Sequence, residues 1–412
     1  MDSGRILIRD AGVLDPEAGE LIEKQAVLVD GDRIVEVGPT AKVSGGGAMV
    51  LDAGGMTVMP GLIDAHVHVT AATANLAELD EWAPTYLTAR AAGILSGMLD
   101  RGFTTVRDVA GADFGLSAAV AEGLLPGPRL IFGGRALSQT GGHGDPRPPG
   151  RALLDQHPST SAMTVVADGV TEVRRAAREQ LRRGADHVKV MLSGGIASPT
   201  DRVDSTQYSM EELRAIVEEA RAANRYVTGH AYTALAVNRG LEAGVGCIEH
   251  GNLMDESSIR LFQRTGAFYV PTLATYAALA EEGIEQGLPA DQHRKVFDVL
   301  DAGLHALELA HRAGLPIVYG TDLLGGMHRR QLSEFTLRSR VQPAADVIRS
   351  ATTVAARLLR MEGQVGVVAP GAMADLLMVD GDPLQRLEVL TDPERHLKLV
   401  MKAGTIHASS LA

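Results

Sequence analysis

The sequence predicts a (β/α)8 TIM barrel with a small β-sandwich domain built from both chain ends. Three observations carry that expectation. Between residues 58 and 358, short apolar runs alternate with amphipathic helical patterns, the signature of parallel βα units. Residues 1–57 instead alternate apolar and polar positions between Asp-Gly and Gly-Gly punctuation, and the same style returns in 359–412. In the central region, polar residues gather late in the apolar runs, where such a barrel puts its chemistry.

Taken in order, RILIRDAGVLD, KQAVLVDGDRIVEVG and AMVLDAGG read as strands, with a hairpin turn at Asp30-Gly31-Asp32. Eight barrel strands follow: GLIDAHVHV, FTTVRDVAG, PRLIFGGRAL, DHVKVMLSGG, YVTGHAY, CIEHGN, AFYVPTL and PIVYGTDLLG. Helical patterns fill the gaps, among them SMEELRAIVEEARAANR, where Ser209 and Glu212 make a capping box. DESSIRLFQRTG is another. GIEQGLPADQHRKVFDVLDAGLHALELAHRAG suggests two helices that cap the site or join subunits. GVVAPGAMADLLMVDGDP and HLKLVMKAGTIH return to the strand style and complete the sandwich. The alternative, a doubly wound open sheet, lacks a Gly-rich phosphate fingerprint after its first strand.

A chain of 412 residues, 45% hydrophobic, buries a large core and suits one big domain with a smaller one. Its net charge of −12 argues against nucleic-acid and acidic-membrane partners. Cys247 is the only cysteine, which excludes an internal disulfide and fits a reducing compartment. The N-terminus has no apolar signal core, and no run reaches the roughly 18 apolar residues of a membrane span. A cytoplasmic protein is expected.

The chemistry starts from His66 and His68. Side chains alternate along a strand, so both imidazoles point the same way and can chelate one divalent cation. An HxH pair alone is more often two ordinary histidines. Here Lys189, His230, His250 and Asp322 also lie late in their strands, and packing explains such a convergence poorly. Imidazole and carboxylate suit Zn²⁺ and similar ions. A lysine inside HVKVML is costly to bury as an ammonium, and its neutral amine adds CO2 to become a bridging carbamate. The expected centre holds two divalent metals, zinc by preference. His66, His68 and Asp322 take one, His230 and His250 the other, and carboxylated Lys189 links them. Two such ions activate a shared water and polarise a carbonyl, and Asp322 carries the proton to a leaving amine. Hydrolysis of an amide or similar bond is the reaction class.

The set PGLIDAHVHV, VKVMLSGG, GHAYT, IEHG and GTD, with ATTVAARLLRMEGQVGVVAPGAMADLLMVDGDP, resembles the metal-dependent amidohydrolase superfamily over nearly the whole chain. It is most similar to the branch of Xaa-Pro dipeptidases, carboxypeptidase-like enzymes and ochratoxin-hydrolysing amidohydrolases, with imidazolonepropionase further off. That resemblance implies a binuclear zinc site, a carboxylated lysine and cleavage of a terminal amino acid from a dipeptide or small amide. It also implies a homo-oligomer, an octamer being one such form. All six ligand positions are filled here. A cyclic-amide hydrolase of the imidazolonepropionase kind is the runner-up. A mononuclear deaminase has no use for Lys189, and a non-catalytic scaffold predicts missing ligands.

The branch also places a histidine in the loop after strand three. His143 in QTGGHGDPRPPG fills that place, reaching over the metals to polarise the scissile carbonyl. Tyr232 shares a strand face with His230 and is a candidate substrate contact, though a core tyrosine is nearly as good a reading. Arg202, in the long loop SGGIASPTDRVDSTQYS, could meet a substrate carboxylate, with a solvated arginine as the plainer reading. Asp108 reads as structural and Tyr276 lies near the seventh loop. His157, His187 and the remaining histidines receive no role.

Overall fold

The computed structural model describes residues 4–152 and 161–411, and His157 lies outside them. Strands β1 (Ile6–Asp15), β2 (Glu20–Asp30) and β3 (Arg33–Pro39) form an antiparallel meander. Strands β4 (Met49–Asp52) and β5 (Thr57–Pro60) run parallel to β1. The β2–β3 hairpin pairs Asp30 with Arg33, so its turn falls at Gly31-Asp32, as expected. Gly31 takes φ +60°, which this tight turn requires and a β-carbon would resist.

The central region carries β6 (Leu62–Val67), β7 (Phe103–Asp108), β8 (Arg129–Phe132), β9 (Ala136–Ser138) and β10 (Thr164–Val166). It continues with β11 (His187–Met191), β12 (Tyr226–Thr233), β13 (Cys247–Leu253) and β14 (Phe268–Val270). All of their ladders are parallel, in the orders β6-β7-β8 and β10-β9-β11-β12-β13-β14. Backbone hydrogen bonds join the two sheets on both sides. Asp186 N donates to Phe132 O, while Val318 N donates to Tyr269 O and Ala65 N to Tyr319 O. Residues 317–319 therefore lie between β14 and β6. The arrangement is a TIM-barrel-like α/β fold.

Two of the eight expected strands differ from the reading. PRLIFGGRAL breaks into β8 and β9 at Gly133-Gly134, where Gly134 has φ +71°, and β9 then pairs with β10, which the periodicity did not indicate. PIVYGTDLLG makes a single bridge, Tyr269 to Ile317, before its backbone leaves the ladder at Asp322, φ +54°. The helices behave as their patterns suggest. Met210–Ala222 opens with the Ser209–Glu212 capping box, and Asp255 caps Glu256–Thr265. Leu213, Ile216 and Val217 bury against Val188, Val227 and Ile248. Each such side chain contributes roughly 1.5–3 kcal/mol. After helix Leu273–Glu282, the long insertion does form two helices, Ala290–Val296 and Ala302–Arg312.

Strands β15 (Leu376–Val379), β16 (Leu397–Lys402) and β17 (Thr405–Ser409) return to the N-terminal strands. The shared ladder runs β17-β16-β15-β5-β1-β2-β3, with β4 on β1. It curls: Arg33 bridges Met373 and Ala374 N donates to Asp32 O, so β3 meets the residues that enter β15. Ile8, Val29, Val58, Met378 and Leu399 fill its own core. The alternate residues Met59, Leu377 and Val400 pack with Phe103 and Leu95 of the α/β part, as a period of two requires. Among the described residues no helix is long and apolar enough to cross a membrane.

Candidate metal centre

Ile63 and Ala65 of β6 enter the apolar core, so Asp64 and His66 take its other face and His68 follows just past its end. The segment after residue 317 comes alongside through Asp64. Its Oδ2 accepts from Thr321 Oγ1 at 2.6 Å and from Gln331 Nε2 at 2.9 Å, and burial raises its carboxyl to about 6. Asp322 N then donates to His66 O at 2.8 Å. This delivers the Asp322 carboxylate to the histidine pair, Oδ1 lying 3.3 Å from His66 Nε2 and 3.1 Å from His68 Nε2.

The tautomers are set from outside. His66 Nδ1 donates to Glu249 Oε2 at 2.7 Å, and His68 Nδ1 to the Ala110 carbonyl at 2.8 Å. Both Nε2 atoms are left turned toward Asp322. His66 Nε2 is buried with no hydrogen-bond partner among the described residues, and the three donor atoms fall within 4.8 Å of one another. Two imidazole lone pairs and a carboxylate converging on one point repel unless a cation or protons lie between them. The donor set therefore fits a divalent metal.

The other expected ligands line the same cavity of about 370 Å³. The ring of His250 lies 5.1 Å from that of His66 and 4.5 Å from that of His230. His230 Nε2 donates to the Gly194 carbonyl at 3.2 Å, which leaves Nδ1 with the lone pair. Lys189 is 2% exposed, and burial lowers its pKa. Burial holds His230 and His250 well below the usual imidazole value, in the neutral form that binds metals. Burial alone would raise Asp322, but the neighbouring His66 and His68 hold it well below the ordinary carboxyl range. Burial lowers His68 too, but the hydrogen bond and charge of Asp322, with the charge of Asp108 and the Ala110 carbonyl, together outweigh it and raise the pKa.

Residues 57–407 match the Amidohydrolase family. The chain belongs to that family. Over 412 aligned residues it is 31% identical to ochratoxinase of Aspergillus niger, covering 95% of this chain and 85% of that one. A prolidase crystallised with N-methylphosphonate-L-proline superposes with TM-score 0.96 at 47% identity, over 98% of this chain and 100% of that one. An Xaa-Pro dipeptidase with bound methionine gives TM-score 0.87 at 29% identity, covering 98% and 100%. This amidohydrolase is thus a hydrolase of amide or peptide bonds.

Around the metal candidates the amidohydrolase adds side chains that the sequence did not single out. Glu249 is fully buried, with Oε1 2.6 Å from Arg107 Nη2 and a hydrogen bond from Thr228 Oγ1. An ion pair so deep gains little net stability, because both charges were desolvated to make it. Its use is orientation, since Glu249 fixes the ring and tautomer of His66. One signal was legible: a charge inside the apolar run CIEHGN. Asp108 is structural, as read, accepting from Val69 N and Ala112 N. His187 is buried beside Tyr226, with neither ring nitrogen hydrogen-bonded among the described residues.

His143 does reach the site, its ring stacked on His230 at 4.2 Å. Tyr232 lines the cavity too, and its hydroxyl meets that of Tyr276 at 3.2 Å. Arg202 is not brought there. Its side chain is 81% exposed and its guanidinium is held by Asp204 at 2.9 Å, because loop 193–207 turns that residue outward. Lys295, from helix Ala290–Val296, was not anticipated. It donates to the carbonyls of Gly195, Ser198 and Asp201 and ties that helix to the loop.

Proposed function

We propose that this amidohydrolase holds two divalent metal ions, zinc by preference, and cleaves the amide bond of dipeptides or N-acyl amino acids. The observation that carries the reading is the convergence of His66, His68 and Asp322 beside His230, His250 and Lys189 in one cavity. The similarity to prolidase, Xaa-Pro dipeptidase and ochratoxinase supports a substrate in which the amide joins a terminal amino acid. In this reading His66, His68 and Asp322 would hold one ion and His230 and His250 the other. Lys189 would contribute to both as its carbamate, its neutral amine adding CO2 and releasing a proton.

Bound there, the metals would supply hydroxide at neutral pH and Lewis acidity at the scissile carbonyl. The remaining work belongs to side chains. Asp322 takes the proton of the attacking water and hands it to the leaving nitrogen. His143 meets the carbonyl oxygen, and Tyr232 contacts the substrate beyond it. The apolar walls formed by Met163, Met191, Ile196 and Leu279 exclude water from the reacting bond.

The same reading takes the fold as a closed (β/α)8 barrel over 58–358. The curled ladder supports a β-sandwich from 1–57 and 359–412. A homo-oligomer belongs to the same reading, and the buried lone Cys247 supports a cytoplasmic location.

Protein reconstituted with Zn²⁺ and bicarbonate is incubated with a panel of dipeptides and N-acyl amino acids, and free amino acid is followed by mass spectrometry. Release concentrated on one C-terminal residue type is expected. A chelator should abolish it, and Zn²⁺ should restore it. Metal-loaded protein that frees no amino acid overturns the reading and turns the search toward cyclic amides.

A further inference from the structure

Loop 193–207 does more than border the cavity. Gly195 passes directly under the imidazole of His143: a β-carbon there would fall 2.2 Å from Cε1 and 2.4 Å from Nδ1. On another side the ring stacks against His230, at 4.2 Å between centroids and 20° between planes. At its edge, Nδ1 lies 3.1 Å from Ser198 Oγ. Ser198 is fully buried and its hydroxyl is in hydrogen-bond contact with Asp201 Oδ1. Gln207 holds the other carboxylate oxygen, Nε2 to Oδ2 at 2.9 Å, and its own Oε1 accepts from His143 N at 3.0 Å. The Lys295 ammonium closes the assembly, 3.7 Å from Asp201 Oδ1 and bonded to three carbonyls of the same loop.

The direction of the hydrogen bonds follows from the donors available. Ser198 has one hydroxyl proton, and the carboxylate of Asp201 is its strongest acceptor. The serine oxygen is then left to accept, so the proton between it and His143 sits on Nδ1. Nε2, which has no hydrogen bond with the described residues, is the ring atom left for the cavity.

We propose that Ser198 and Asp201 form a positioning relay that fixes the orientation and Nδ1–H tautomer of His143, presenting Nε2 to the reacting group. Gly195 is the cradle that lets the ring lie where the relay holds it, and Lys295 is the latch that keeps the loop in register. The relay rests on the reading of the cavity as a hydrolytic site and, apart from the stacking of His143 on His230, makes no use of the metal ligands. Neither Ser198 nor Asp201 touches substrate in this scheme.

Ser198→Ala removes the relay without burying a new charge, and Gly195→Ala displaces the ring by a separate route. Both are measured with the metal-loaded enzyme for kcat, KM, metal per chain and melting temperature. Selective ¹⁵N-histidine NMR, with His143 assigned through His143→Gln, reads the tautomer directly. The expected result for Ser198→Ala is a kcat lower by about 10- to 100-fold, as a misplaced catalytic group costs. KM should stay within about twofold, metal and melting should be unchanged, and the His143 Nδ1–H signature should be lost. Gly195→Ala should reproduce the kcat loss. Wild-type kcat in a loaded, folded Ser198→Ala, or wild-type protein whose His143 lacks a proton on Nδ1, overturns the relay. The tautomer is read without turnover, so its outcome stands apart from the substrate panel. A wild type with the Ser198-dependent Nδ1–H but no amino-acid release sinks the dipeptide reading and leaves the relay standing.

Discussion

Lys189 is the residue whose presence is hardest to explain by packing. It sits in β11 with Val188 and Val190 buried beside it and lines the cavity that holds the candidate metal ligands. An unpaired ammonium there would cost several kcal/mol, and burial lowers its pKa instead. In the proposed reading a carbamate would turn that cost into a ligand. Lys189→Ala is therefore expected to lower bound metal from two ions per chain to one or fewer and to abolish turnover, while melting of the metal-free protein hardly changes. Elemental analysis beside a melting curve checks it; a variant with full metal and full rate removes the bridge from the scheme. The six ligand candidates were legible because strand alternation and position along a strand are local, one-dimensional signals. The roles of Glu249 and the Ser198–Asp201 pair were not, because their partners His66 and His143 lie far off in sequence and meet them only in the folded chain. For Arg202 the plainer reading, a solvated side chain, is the one the fold favours. A charge in a loop has no period, and only the fold shows it spent on Asp204.

The segment that follows residue 316 shows how an irregular element can still place a side chain accurately. Residues 317–322 have one ladder bridge, yet Asp322 is pinned by its own N–H to His66 O and by Asp64 through Thr321. Gly320 makes the close approach possible. A β-carbon on it would meet Val270 Cγ1 at 2.3 Å, His66 Cβ at 2.8 Å and the His66 backbone nitrogen at 3.2 Å. Gly320→Ala should thus wedge this segment away from both β14 and β6. The expected cost is roughly 1–3 kcal/mol of stability, as for other overpacked cores. A fall in metal occupancy should accompany it, because Asp322 moves off the histidines; denaturant titration and metal analysis read the two effects. Loss of stability at full occupancy would mean that Asp322 is held by its other contacts. The apolar run PIVYG was visible in the sequence, and so was its late aspartate. What the period could not show was that the run would leave the ladder after one bridge, since that depends on a glycine packed against β6 and on positive φ at Asp322.

The overall architecture was the most legible level, because the two-residue period of the ends and the strand–helix alternation between them are properties of long stretches. Which buried charges the finished fold would tolerate was not legible, since burial is collective. Glu334 is the clearest case. It is fully buried on helix Ser333–Arg338; Oε2 accepts from Ala274 N at 2.7 Å, and Oε1 has no hydrogen-bond partner among the described residues. Burial, only partly offset by Arg338, raises its carboxyl from 4.5 to about 8. Below pH 4.5 the folded and unfolded chains both hold this proton. Between there and pH 8 the unfolded chain releases it while the folded chain keeps it, so stability falls as pH rises. Above pH 8 both forms are ionised and the loss levels off. One pKa unit corresponds to about 1.4 kcal/mol, so the whole span is on the order of a few kcal/mol. Glu334→Gln keeps the acceptor for Ala274 and removes the titration. Denaturant unfolding of the metal-saturated proteins from about pH 5 to about pH 8 should show a shallower decline for the variant, with its advantage greatest at the alkaline end. Metal binding also depends on pH, but it enters both proteins alike and cancels in their difference. Parallel curves would show that Glu334 ionises normally in the folded chain, and that the core around Arg338 solvates it better than its burial implies.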